Sequence, residues 1–238
     1  MDYGNTFLIN FRYLLSSLGI IKIIKIIIRI FKKEYEKKYS QTMFENIKNN
    51  IFIWDVGANK GFYVRKFLKN KNIHSVIAFE PTPYFYKLIK YKFSSSIKKK
   101  RLFVYNYALA DKTKKTFFWI STNKSGSVEN SLNYNSNANK ILVNQIKPDE
   151  LVSKKKINIP NFIKLDIEGG ELKFLEGSKK ILKHKNLKHI FIEVHFAKLN
   201  KLHGRNSVIK IIKILKNANF KIIWIDSSHL HARKINYK

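Results

Sequence analysis

Apolar and cationic positions alternate in a regular way near the start of the chain. Ile20 to Lys33 reads IIKIIKIIIRIFKK. At about 100° per residue, Lys22, Lys25, Arg29, Lys32 and Lys33 share one stripe of a helix, and isoleucine fills most of the remaining surface. Phe7 to Leu18 continues the apolar character, so residues 6–33 are expected to form one or two helices. The charges inside this stretch argue against a membrane crossing. The broken apolar run, with no small-residue cleavage site after it, argues against a signal peptide. Two readings stay open: a helix lying on an anionic membrane surface, or an amphipathic helix packed on the rest of the chain with its basic stripe in water.

From Ile51 the pattern changes to short apolar runs separated by amphipathic segments. Ile51 to Val56, Ser75 to Phe79, Leu102 to Asn106, Lys115 to Ile120, Asn161 to Leu165, His189 to Val194 and Phe220 to Ile225 read as strands. Phe62 to Leu68, Tyr84 to Phe93, Glu171 to Leu182 and Ser207 to Asn217 read as helices. This alternation predicts an α/β fold, Rossmann-like and doubly wound, with a mostly parallel sheet and helices on both faces. We place an N-terminal amphipathic helical extension at residues 1–48 and the main domain at 49–238. Ligands of such sheets bind at the carboxyl ends of the strands, so the polar residues there are the ones to inspect.

Composition narrows the picture. The 238 residues are 45% hydrophobic, enough for one real core, and 4 prolines and 9 glycines leave little room for long linkers. With no cysteine there is no disulfide, thiolate metal site or cysteine nucleophile. The formal charge of +31 points to an anionic partner, or else only to a lysine-, asparagine- and isoleucine-rich composition. Arginine, the usual reader of phosphates and bases, is scarce.

Asp55-Val56-Gly57-Ala58-Asn59-Lys60-Gly61 follows the first strand and opens a helix. Glycines there allow a tight turn and close approach to a ligand. This is not the G-x-G-x-x-G dinucleotide fingerprint, because Asn59 stands where a glycine belongs and no third glycine follows. The carboxylate of Asp55 suits a ligand with a cationic group. Glu80 ends the second strand, where an acid can take both hydroxyls of a ribose.

Five segments in order resemble the FkbM-type family of S-adenosylmethionine-dependent methyltransferases, over roughly residues 50–225. They are Asp55 to Tyr63, Ile77-Ala78-Phe79-Glu80-Pro81, Asn106-Tyr107-Ala108-Leu109-Ala110-Asp111, Ile163 to Glu171, and Ile192-Glu193-Val194-His195. The resemblance implies a cytosolic class I enzyme that methylates hydroxyls of sugars, glycolipids or related small molecules. It implies that Asp55, Gly57, Ala58, Asn59, Gly61 and Phe62 cradle the methionine part of S-adenosylmethionine. It further implies that Glu80 holds the ribose, that Asn106 and Ala108 border the adenine, and that Asp166 faces the methionine amino group or the acceptor. The stretch around Ser125-Gly126-Ser127 and Ser131-Leu132 matches only loosely.

Methyl transfer to a hydroxyl needs a group that removes its proton. Asp166 and Glu168 at one strand end, and Glu193 and His195 at the next, are close enough to converge. Three readings follow. His195 or Glu168, with Asp166, is the base; Asp166, Glu193 and His195 hold a divalent cation such as Mg²⁺; or the acids pair with nearby lysines and His195 is an edge residue. Glu171 is expected only to favour its helix N-terminus. His74, His184, His189, His203, His229 and His231 show no ligand spacing, and the last two are expected to be exposed.

Three rival functions remain: an RNA methyltransferase, a non-catalytic membrane-surface protein that keeps the fold, and a dehydrogenase. The acidic Asp166-Ile167-Glu168 loop would repel phosphate, the complete first loop argues for retained cofactor binding, and Asn59 argues against a dinucleotide. The expected setting is cytoplasmic, with residues 6–33 as a peripheral contact to an anionic inner membrane face.

Overall fold

The computed structural model describes residues 36–122, 128–131, 139–155 and 157–235. The amphipathic stretch 6–33 therefore lies outside the described residues. No helix among the described residues is long and apolar enough to cross a membrane.

Helix α1 covers residues 36–45. Then come β1 (Ile51–Val56), α2 (Phe62–Lys69), β2 (Ile73–Phe79), α3 (Pro83–Lys92), α4 (Ser94–Lys98) and β3 (Leu102–Tyr105). A second group follows: β4 (Ala108–Leu109), β5 (Lys114–Thr122), β6 (Val128–Ser131), β7 (Asn139–Ile146) and α5 (Pro148–Lys155). The chain then returns through β8 (Phe162–Leu165), α6 (Glu171–Gly177), α7 (Lys179–Lys183), β9 (His189–Glu193), α8 (Phe196–His203), α9 (Ser207–Asn217), β10 (Phe220–Trp224) and β11 (His229–Lys234).

The main sheet has seven strands in the order β10-β11-β9-β8-β1-β2-β3, and β4-β7-β5-β6 form a separate four-stranded sheet. Strands β3, β2, β1, β8 and β9 run parallel, and β11 pairs antiparallel with both β9 and β10. The Rossmann-like doubly wound architecture read from the sequence is the one observed. The chain builds outward from β1 through β2 and β3, then jumps to β8 on its other side. That reversal leaves a crevice above the carboxyl ends of β1 and β8.

Strands with helices on both faces must be apolar on both faces, and β8 accordingly buries all four of its residues. One face packs Trp54, Phe79, Leu175, Ile190 and Ile211 into a core beneath α6 and α9. The other packs Ile53, Val64, Phe67 and Phe191 against Tyr39, Met43 and Ile47, so α1 and the turn after it belong to that core.

Two expectations about local structure change. Glu171 to Leu182 is two helices, not one. Ser178 interrupts it, and the Asp149 carboxylate accepts the backbone N–H groups of Lys180 (2.9 Å) and Ile181 (3.1 Å), capping the new start. His229 and His231 are buried, at 6% and 3% exposure, because they lie on β11 inside the sheet and face partners there.

Candidate active site

The loop after β1 is shaped by three left-handed residues, Gly57 (φ 85°), Asn59 (φ 49°) and Gly61 (φ 80°). At Gly57 a Cβ would stand 1.8 Å from the carbonyl oxygen of Asp166, so only glycine lets this loop meet the end of β8. The loop's N–H groups are already occupied. Those of Gly57 and Ala58 donate to the carbonyl of Phe79, and that of Asn59 donates to Glu80 Oε2 at 2.7 Å. A pyrophosphate would need such groups free.

The crevice above this loop is lined by Val56, Gly57 and Asn59, by Phe79 to Pro81, by Tyr107 to Ala110, by Phe118, and by Asp166 to Glu168 with Gly170. It is a cleft partly open to solvent, with a cavity of about 80 Å³. Of the residues singled out from the sequence, Gly57, Asn59, Glu80, Ala108, Asp166 and Glu168 line it.

The others sit around it. Phe62 is 60% exposed on the outer side of α2. Asn106 braces the end of β2, donating to the carbonyls of Glu80 and Pro81 at 2.8 Å each. Ala58 and Gly61 shape the turn, Gly61 N–H donating to Ala58 O at 2.9 Å. Asp55 takes a different place from the expected one. It is fully buried beneath the loop, 3.5 Å from Lys164 Nζ, and does not line the crevice.

Glu80 is 2% exposed. Its Oε1 accepts the N–H of Thr82 at 2.9 Å and its Oε2 that of Asn59, which fixes the carboxylate at the crevice wall. Burial raises its pKa, partly offset by those two hydrogen bonds.

The four candidates at the ends of β8 and β9 do converge, around His195. Its Nε2 lies 3.2 Å from Glu168 Oε2, 3.8 Å from Asp166 Oδ1 and 3.8 Å from Glu193 Oε1. Its Nδ1 is 2.8 Å from Glu171 Oε1. Glu171 is thus far more than a helix-terminal charge. It is wholly buried, and also accepts the N–H of Gly169 at 3.0 Å. The left-handed Glu168 (φ 56°) and Gly169 (φ 101°) turn the chain so that Glu171 points back under its own loop. Asp166, Glu168 and His195 form the group whose ligand atoms lie within 4.8 Å of one another. Glu168 replaces Glu193 in the expected trio, since the other oxygen of Glu193 faces His229 Nε2 at 3.8 Å.

Lys164, Lys198, His229 and Asp226 complete the network, and no local signal in the sequence marked them. Lys164 Nζ is 3.1 Å from Asp166, Lys198 pairs with Glu168, and His229 Nδ1 is 2.7 Å from Asp226. Asp55, Asp166, Glu168, Glu171, Glu193 and Asp226 are six of the chain's 16 acids. In this corner they outnumber the cations.

The field they set up decides the charge states. Burial opposes a charged ring at His195, but the Glu171 hydrogen bond and the charges of Glu171, Glu168 and Asp166 outweigh it and push the pKa up to about 10. Burial also opposes charge on Glu193, yet His229 at 3.8 Å and the charges of His195 and Lys164 bring it down to about 2.

A switch-point crevice with an acid fixed at the end of β2 and acids at the end of β8 belongs to a Rossmann-like methyltransferase fold. Residues 55–222 match the methyltransferase FkbM domain, and the chain belongs to that family of S-adenosylmethionine-dependent methyltransferases. The hexuronic acid methyltransferase AglP of Haloferax volcanii is 27% identical over 161 residues, 67% of this chain. This chain spans 62% of that protein's length. The crystal structure of methyltransferase FkbM from Methylobacillus flagellatus KT superposes with a TM-score of 0.53 at 16% identity, covering 77% of this chain and 43% of the other.

Proposed function

We propose that the chain moves a methyl group from S-adenosylmethionine to a hydroxyl of a saccharide, glycolipid or related small molecule. The observation that carries this is the acidic crevice, with Glu80 on one wall and Asp166 and Glu168 on the other, in a protein whose formal charge is +31. Such walls suit a ligand bearing an amino group and a sulfonium, and oppose a phosphate chain. The saccharide acceptor draws support from the hexuronic acid methyltransferase named above.

The residues present fit the cofactor. Glu80 would take the ribose hydroxyls with the lone pairs its two backbone donors leave free. Gly57 lets the backbone approach, and Tyr107, Ala108 and Phe79 offer the apolar surface a base needs. When bound, S-adenosylmethionine supplies a methyl group on sulfonium, whose S–C bond breaks as the O–C bond forms. Asp166 or Glu168, both at the crevice, takes the hydroxyl proton. His195 is charged at neutral pH, with a proton on both nitrogens, and so holds the carboxylates in place instead of acting as base. Crowding among the acids keeps a nucleic-acid backbone out.

Calorimetry with S-adenosylhomocysteine tests this. Wild type should bind. Glu80→Ala should weaken binding on the order of 100-fold, the worth of charge-assisted hydrogen bonds at about 2–3 kcal/mol. Glu80→Gln, which can still accept a backbone N–H, should lie between, and melting curves check that both variants fold. Absence of binding by folded wild type sinks the proposal.

A further inference from the structure

The two ring nitrogens of His195 live differently. Nδ1 makes one short hydrogen bond, 2.8 Å, to the buried Glu171. Nε2 faces three carboxylates at 3.2, 3.8 and 3.8 Å. Ligand atoms that share one small ion at bond lengths of about 2.1 Å stand about 3.0 Å apart at right angles and about 3.4 Å apart at the tetrahedral angle. The Glu168 distance falls between those values, and the Asp166 oxygen stands a few tenths of an ångström beyond them. A buried carboxylate on the far nitrogen is also the usual support of a metal-binding imidazole, fixing its tautomer and its direction.

A second observation points into the same corner. The hydroxyl of Tyr39 on α1 is buried, with the residue 2% exposed, and has no hydrogen-bond partner among the described residues. Its ring stacks on His229 at 4.1 Å, and the acids whose charges bear on it are Glu193, Asp166 and Asp55. A buried hydroxyl needs a donor or acceptor of its own, and the buried Oε2 of Glu171, whose other oxygen holds His195, is likewise without a hydrogen-bond partner among the described residues.

Charge agrees. The six acids of this network face Lys164, Lys198, His195 and His229, which leaves two negative charges in excess even with both histidines counted as cations. We propose that Asp166, Glu168 and His195 bind a divalent cation at the rim of the crevice, the cation displacing the Nε2 proton of His195 to solvent, with Glu171 orienting the ring through Nδ1 and open positions left for an acceptor oxygen. One imidazole with two carboxylates fits Mn²⁺ better than Mg²⁺, which prefers oxygen alone. This deepens the methyltransferase reading: a cation there would bind adjacent oxygens of a diol or a hydroxy acid, both common in sugars, and polarise the one that accepts the methyl group.

Lys198 competes for the site, because it already pairs with Glu168 Oε2, the oxygen nearest Nε2. This gives the test opposite signs at neighbouring residues. Free Mn²⁺ is followed by electron paramagnetic resonance as it is titrated into the full chain, with S-adenosylhomocysteine calorimetry on every variant as a check of the fold. One Mn²⁺ per chain is expected. His195→Ala and Glu168→Gln should each weaken it at least tenfold, Glu171→Gln by 10- to 100-fold through Nδ1, and Lys198→Ala should strengthen it several-fold. No bound Mn²⁺ overturns the site, as does binding that ignores both His195→Ala and Lys198→Ala. Cofactor binding without Mn²⁺ would remove the metal and keep the methyltransferase; Mn²⁺ binding without cofactor would do the reverse.

Discussion

His229 and His231 stand two residues apart on β11, face the same side of the sheet, and are equally buried. They carry opposite charge states. At the end of the strand near the crevice, burial opposes charge on His229, but Asp226 and Glu193 push its pKa up to about 9. One step down the strand, burial pulls His231 down to about 3, helped by His189 and Arg233. His189, 3.0 Å away through its Nδ1, is lowered to about 4 by burial and by Arg233, Lys48 and Lys188. Depth is the same at both ends; the neighbours differ. A chain with 47 basic residues has gathered six of its 16 acids around the carboxyl ends of β8 and β9, while Lys48, Lys188 and Arg233 surround His189 and His231. The chemistry therefore has one edge at which to happen.

The largest break in this contrast should come from Asp226→Asn. Asp226 accepts the N–H groups of Ser228 and His229 as well as the His229 ring. Neutralising it removes a buried charge-assisted bond, at a cost of about 2–3 kcal/mol in urea denaturation at pH 7. A loss under 0.5 kcal/mol would show that His229 is held by Glu193 alone.

Titration sharpens the contrast next. His229 has a raised pKa, so its contribution is complete below the unfolded value near 6.5 and is lost as pH rises through about 9. His189 and His231 have lowered values, so their contribution is present above about 6.5 and is lost as pH falls toward 4. Melting temperature against pH should thus fall on both sides. His231→Phe, which keeps the stacking on Phe191, should flatten the acid limb and leave the alkaline one. If the acid limb is unchanged, the pair does not titrate as its surroundings imply.

The smallest effect marks where the crevice stops. Phe62 sits on α2 beside the first loop but faces water. Phe62→Ala should leave S-adenosylhomocysteine affinity within about twofold and stability within about 0.5 kcal/mol. A tenfold loss of affinity would extend the site around the outside of the loop.

The parallel strands and the convergence of Asp166, Glu168, Glu193 and His195 were legible, because apolar runs and strand-end positions are local properties. Strand β11 was not. HLHARK has no apolar run, and its two histidines read as exposed positions; in the strand both are buried, His229 against Asp226 and His231 against His189. Glu171 looked like an ordinary helix-terminal acid, since its burial depends on the left-handed turn at Glu168 and Gly169. Asp226 and Tyr39 lie far from every motif and reach the site only through packing. The position of Asp55 was misjudged for a related reason: Lys164, from the neighbouring strand, claims its carboxylate first.

Phe118 on β5 and Ala108 and Leu109 on β4 close the crevice from the small sheet, while Val56, Phe79 and the loops after β1 and β8 belong to the large one. The two sheets do not share a strand. Whatever molecule lies against Phe118 meets strands hydrogen-bonded apart from the seven-stranded frame, joined to it through the packing of Leu109 and Ile146 in the shared core. Exchanging the β5–β7 segment between related chains should then move acceptor range while leaving S-adenosylhomocysteine affinity in place.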